Sequence, residues 1–130
     1  MIKILLVDDH PSVRIGLRMR FGLEPDLSII GEAGDGLAAI SMATTLNPNV
    51  ILMDMEMPTM DGILATHKLQ CAASQSAVVI LTAHDTPEMR SQAKAAGAAA
   101  FMPKTAYVDK LIEVIRAVAV GTKILQLQQA

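Results

Sequence analysis

The chain carries 130 residues, 52% of them hydrophobic and 18% charged, with a formal net charge of −2. That is the size of one domain with an ordinary core, and the composition excludes a disordered chain. The charge balance offers no basic face for a nucleic-acid duplex, the single cysteine, Cys71, excludes an internal disulfide and fits a reducing compartment, and no apolar run approaches the roughly eighteen residues of a membrane span.

The first apolar run, Ile2–Val7 in MIKILLVDD, is too short for a secretory core and has no small-residue cleavage site after it, so a cytoplasmic domain is expected. Its continuity predicts a parallel strand buried on both faces. Pro11 then opens a helix with apolar residues at Val13, Leu17, Phe21 and Leu23, ended by Glu24-Pro25-Asp26. Leu27–Ala33 reads as a second strand, and Asp35 caps a helix running to about Leu46. After the turn Asn47-Pro48-Asn49 come a third strand, Val50–Met53, a loop, Met55–Met60, and a helix capped by Asp61 that reaches Cys71. Ala77–Leu81 is the fourth strand. Thr86-Pro87-Glu88 supplies a cap, a proline at the first helical position and an acid in the first turn, and Gly97 closes that helix. Ala98–Met102 is a short fifth strand, and a last helix covers roughly Ala106–Val120, with Leu111, Ile112, Ile115 and Val118 on one stripe and Gly121 as its stop. Strand and helix alternate throughout, which predicts a doubly wound parallel sheet covered on both faces, with its ligand site outside the carboxyl ends of the strands.

Four polar signatures fall where apolar runs stop: Asp8-Asp9, Asp54, Thr82 and Lys104. Taken singly, each has a plain reading. An acidic pair after a strand is often an N-cap, a lone Asp a loop residue, a Thr a local backbone partner and a Lys a solvated charge. Taken together at neighbouring strand ends, three acids, a hydroxyl and a cation form a site for a divalent cation and a phosphoryl group. His10, His67 and His84 lack metal-ligand spacing, although His10 and His84 border the site. Met53, Met55, Met57 and Met60 read as core and loop packing rather than a soft-metal site.

The acidic pair in LLVDDH, the acceptor in LMDMEMPTMDG, the hydroxyl in ILTAHD and the lysine in FMPKTA resemble the receiver domain of two-component response regulators, in order and over nearly the whole chain. The resemblance implies a flavodoxin-like, three-layer αβα fold with strand order 2-1-3-4-5, a receiver spanning residues 1–121, and a tail or linker start at 122–130. It implies that Asp54 accepts a phosphoryl group from a sensor histidine kinase. Asp9 would bind Mg²⁺ directly and Asp8 partly through water, with Asp54 and the backbone carbonyl of Glu56 completing the protein ligands. Lys104 and Thr82 would hold the phosphoryl oxygens. Thr82 and Phe101 would form the conformational switch, with the output face at roughly Thr86–Val120. Many receivers follow the lysine with a cis-bonded proline; here Pro103 precedes Lys104 and Thr105 follows it, so a cis bond there is not expected. That departure, the VRIGLRMRF run and the tail are similar to receivers of the NarL/FixJ type, which implies transcriptional output through a C-terminal DNA-binding domain and a homodimer through the first and fifth helices. Rival readings are a degenerate receiver serving as a protein-binding scaffold, a haloacid-dehalogenase-like phosphatase and a flavin module. The phosphatase loop wants a second Asp where Glu56 stands and a Thr one position before Thr59, and a flavin needs a Gly- and hydroxyl-rich loop where this chain has Asp-Asp-His-Pro.

Overall fold

A computed structural model describes residues 1–121; the tail expected at 122–130 lies outside the described residues. Five strands and five helices alternate: β1 (Ile2–Val7), α1 (Pro11–Phe21), β2 (Leu27–Ala33), α2 (Gly36–Leu46), β3 (Val50–Asp54), α3 (Gly62–Ala72), β4 (Ala77–Thr82), α4 (Pro87–Ala96), β5 (Ala100–Pro103) and α5 (Val108–Ala119). The sheet is parallel throughout, in the order β2-β1-β3-β4-β5. The chain therefore leaves β1 toward β2 on one side and returns to β3 on the other. That reversal places the ends of β1 and β3 at the topological switch point, where such sheets bind ligands.

The pleat divides the core in two. Leu5, Val7, Ile51, Met53, Val78, Ile80 and Phe101 face α2, α3 and α4, packing on Ala39, Ala43, Ala65, Leu69 and Ala93. Ile4, Leu6, Val50, Leu52, Val79, Ala100 and Met102 face α1 and α5, packing on Phe21, Leu111, Ile112, Ile115 and Val118. Each fully buried Leu, Ile or Phe contributes on the order of 1.5–3 kcal/mol over an exposed one, so both faces are strongly committed. The helix starts follow the local chemistry: Asp35, Asp61 and Thr86 accept from the N–H groups of Ala38, Leu64 and Met89 at 2.8, 2.8 and 3.2 Å. Gly97 ends α4 at φ 101°, where a Cβ would also meet the Gln70 side chain at 2.5 Å.

Some boundaries move. α1 stops at Phe21, so Leu23 leaves the expected stripe and is 73% exposed, and Val13 is 41% exposed. α5 begins at Val108 because Pro103–Ala106 forms a turn closed by Ala106 N–H to Pro103 O at 3.1 Å. β5 begins at Ala100, since Ala98 still donates to Ala93 in the close of α4. Pro103 sits on an edge strand, where its missing donor costs nothing. No cis peptide occurs among the described residues.

Candidate functional site

β1 delivers Asp8, buried, and Asp9, half-buried, to the carboxyl edge of the sheet. Asp8 N–H continues the ladder to Ala33 O at 3.0 Å, and Asp8 Oδ1 accepts from His10 N–H at 2.8 Å. A guanidinium N–H of Arg14 donates to the Asp8 carbonyl, and Arg14 is in turn held by Glu32 of β2 at 3.0 Å. The acid turn is thus fastened from α1 and β2 together. Nothing in the sequence pairs Arg14 with residue 8 or 32, so this support was not legible there.

β3 delivers Asp54, 1% exposed. Its Oδ1 accepts from Lys104 Nζ at 2.7 Å and from Glu56 N–H at 3.2 Å, while Oδ2 is buried with no hydrogen-bond partner. Burial pushes the Asp54 carboxyl up; the bond from Lys104 opposes this, the charge of Asp8 reinforces it, and the net direction is upward. For Lys104, burial works against the ammonium, but the bond to Asp54 and the charges of Asp54, Asp8 and Glu56 outweigh it and hold the lysine charged. Asp8, Asp9, His10 and Asp54 each offer a ligand atom within 4.8 Å of the others. Asp9 Oδ1 is buried without a hydrogen bond; the His10 ring nitrogen 3.1 Å away is close but misaligned. Three converging carboxylates, two with unpartnered oxygens, are of the chemistry that could hold a hard divalent cation. His10 is brought closer than its spacing had suggested.

β4 delivers Thr82, wholly buried, and β5 leads to Lys104, whose N–H donates to Thr82 O at 2.8 Å. The Thr82 hydroxyl accepts from His84 N–H at 2.9 Å and donates to Glu56 Oε2 at 2.8 Å, and Ala83 N–H donates to Glu56 Oε1 at 2.9 Å. Glu56 entered the sequence reading through its carbonyl and, with His84, as a position where receivers vary and tune phosphate lifetime; the structure adds its direct side-chain bonds to Thr82 and Ala83. Phe101 lies wholly inside the core on the α4 side, paired in register with Ile80 of β4. Gly62 is a further residue whose role was not foreseen, although it stands in the MDG of the acceptor motif. A Cβ there would lie 2.6 Å from the Asp54 carbonyl oxygen and 2.8 Å from Met55 Cα, so only glycine lets α3 start against the end of β3. Met53, Met55 and Met60 are buried and Met57 packs on the same core, as packing residues would; Cys71 is an exposed residue of α3.

The arrangement fits the sequence comparison. The response regulator receiver domain family matches residues 4–116. The chain belongs to that family. This receiver domain is 38% identical over 121 residues to the transcriptional regulatory protein LiaR of Bacillus subtilis, covering 93% of this chain and 57% of that protein. It is 35% identical over 122 residues to the nitrate/nitrite response regulator protein NarP of Escherichia coli, covering 94% and 57%. The chain thus spans little more than half the length of these relatives. Among solved structures, the signal receiver domain of the response regulator NarL from Mycobacterium tuberculosis superposes with a TM-score of 0.88 at 31% identity, covering 92% of this chain and 97% of that one. The relatives are of the NarL/LuxR type, the strand order is the flavodoxin-like one expected of a receiver, and nothing favours a phosphatase or a scaffold. Receivers are signalling domains rather than metabolic enzymes. No helix among the described residues is long and apolar enough to cross a membrane.

Proposed function

We propose that this receiver takes a phosphoryl group onto Asp54 from the phosphohistidine of a sensor histidine kinase, in a Mg²⁺-dependent reaction, and thereby switches conformation to control transcription. The observation that supports this most is the Asp54 carboxyl: one oxygen is held by Lys104 and the Glu56 N–H, while the other is buried and unpartnered beside Asp8 and Asp9. A desolvated carboxylate of this kind is a nucleophile. The O–P bond forms at Asp54 as the P–N bond to the kinase imidazole breaks, and the electron pair of the broken bond stays on the imidazole. Lys104 neutralises charge on both the acceptor and the arriving phosphoryl oxygens. Each like-charge pair at about 4 Å costs on the order of 4 kcal/mol at an effective dielectric of about 20. Asp8, Asp9, Asp54 and the Glu56 carbonyl would hold Mg²⁺, which would supply the missing positive charge.

After transfer, the Thr82 hydroxyl binds a phosphoryl oxygen, and Phe101 on the adjacent strand couples that bond to the α4–β5–α5 face. Output is a population shift between two arrangements. The receiver unit is residues 1–121, acting in the cytoplasm. Its relatives being transcriptional regulators supports an output at DNA, made through a C-terminal domain and not through this one, whose chain carries a net charge of −2. A homodimer through α1 and α5 is the corresponding assembly. Catalysis extends to the protein's own slow dephosphorylation and not to multiple turnover.

The test is the intact mass after incubation with acetyl phosphate and Mg²⁺, beside Asp54→Asn and an EDTA control. One added phosphoryl group, in the parent only and dependent on metal, is the expected result. An adduct that survives in Asp54→Asn would move the acceptor elsewhere.

A further inference from the structure

The hydrogen bonds of Thr82 leave little freedom. Its Oγ1 accepts from His84 N–H at 2.9 Å, so its single proton points elsewhere, and the acceptor at 2.8 Å is Glu56 Oε2. The other oxygen of that carboxylate accepts from Ala83 N–H at 2.9 Å and lies 3.9 Å from Lys104 Nζ, which itself sits 2.7 Å from Asp54 Oδ1. A hydroxyl, a backbone amide and an ammonium therefore converge on one anion next to the acceptor. Two of those donors, Thr82 and Lys104, are the groups assigned above to the phosphoryl oxygens. A hydroxyl with one proton cannot donate to two anions, and two anions drawn to the same donors repel each other.

We propose that the Glu56 carboxylate is an internal occupant of the phosphoryl-oxygen site. It fills the subsite made by Thr82, Ala83 and Lys104, orders the Thr82 hydroxyl before modification, and has to leave when a phosphoryl group arrives. The inference rests on Asp54 being the acceptor. The side chain has a way out, since it is 33% exposed, while the Glu56 N–H stays bonded to Asp54 Oδ1 at 3.2 Å. Glu56 is thus a positioning residue acting through Thr82 and a competitor of the group that Thr82 receives. The fraction of molecules with the subsite vacated sets the apparent affinity: a site closed by Glu56 about nine-tenths of the time weakens an incoming anion about tenfold.

The test uses the whole chain with saturating Mg²⁺ and beryllofluoride as the phosphoryl mimic, its binding followed by amide NMR in the parent, Glu56→Ala, Glu56→Gln, Glu56→Asp and Asp54→Asn. Glu56→Ala is expected to bind beryllofluoride about tenfold tighter than the parent. Glu56→Asp keeps the charge on a side chain one methylene too short to span Thr82 and Ala83, and it is expected to bind tighter as well. In the metal-free protein the Ala83 amide proton should lose its carboxylate-bonded, downfield position in Glu56→Ala. If Glu56→Ala and Glu56→Gln gain affinity while Glu56→Asp matches the parent, the effect is overall charge and the subsite is overturned. Parent binding that Asp54→Asn abolishes but that no Glu56 variant improves overturns the occupant and leaves the acceptor standing. Absence of binding in the parent and in every variant removes the acceptor reading, and the occupant with it.

Discussion

Two groups of carboxylates in this molecule stand in opposite electrostatic states. At the carboxyl edge of the sheet, Asp8, Asp9 and Asp54 crowd together with one lysine among them, and burial pushes Asp54 up. At the amino end of β2, Glu24 and Asp26 meet Arg116 at 2.7 and 2.9 Å, Glu24 also meets Arg20 at 2.9 Å, and Arg20 reaches Asp109 on α5 at 2.8 Å. There the bond from Arg20 holds Glu24 below the usual carboxylate range, with Arg116 adding to it, and the bond from Arg116 does the same for Asp26. The same side-chain chemistry is relaxed where guanidinium groups bond the carboxylates directly and tense where a buried carboxyl has a single lysine beside two further acids. The tense region is the one proposed to receive a cation and a phosphoryl group; the relaxed one ties α1 and α5 to the turn before β2.

The largest effect expected from disturbing this contrast is at Gly62. Gly62→Ala drives a Cβ into the Asp54 carbonyl and Met55 Cα, which should cost on the order of 3 kcal/mol in chemical denaturation and displace Asp54. In α1, Gly16 has open space where a Cβ would go. Gly16→Ala should therefore stabilise by about 0.5–1 kcal/mol, and an equal loss at both glycines would show that the pocket is not specially tight.

Next in size is the response to metal. Mg²⁺ at about 100 times its dissociation constant should stabilise the parent by about 2.7 kcal/mol, and EDTA should remove that gain. Asp54→Asn should lose most of the response. Without metal, the same substitution should raise the thermal midpoint, because a carboxyl pushed upward is one whose charge the folded state disfavours. A lowered midpoint would mean that the Lys104 pair outweighs burial.

The smallest effect is the pH dependence of the α1–α5 seam, where exposed pairs are screened by solvent. Glu24 and Asp26 are depressed, so the folded state binds fewer protons than the unfolded one. Their stabilisation is complete above the ordinary carboxylate range and is lost as pH falls from there down through their lowered folded-state titration. Arg116→Ala should lower the thermal midpoint near neutrality by an amount that fades on acidification and in high salt. Asp54 has the opposite sign: its penalty grows as pH rises through its elevated titration, so the gain in Asp54→Asn should also fade on acidification. Melting curves of both variants from neutral to acidic pH check the two signs in one series.

The sequence by itself determined the strand ends. Apolar runs alternating with helical segments suit the strands of a parallel sheet covered on both faces, and four of them stop at polar residues that the sheet then brings to one edge: Asp8-Asp9, Asp54, Thr82 and Lys104. The caps at Asp35, Asp61 and Thr86 were legible for the same reason, since each bonds within one turn of its own helix. Only the tertiary structure decided the contacts between loops: Arg14 on the Asp8 carbonyl, Gly62 against Asp54, and the Glu56 carboxylate on Thr82 and Ala83. It also decided where α1 stops presenting an apolar stripe, which left Val13 and Leu23 exposed. Periodicity and local bonding are written along the chain, whereas the partner of a loop side chain depends on which distant loop the crossovers bring beside it.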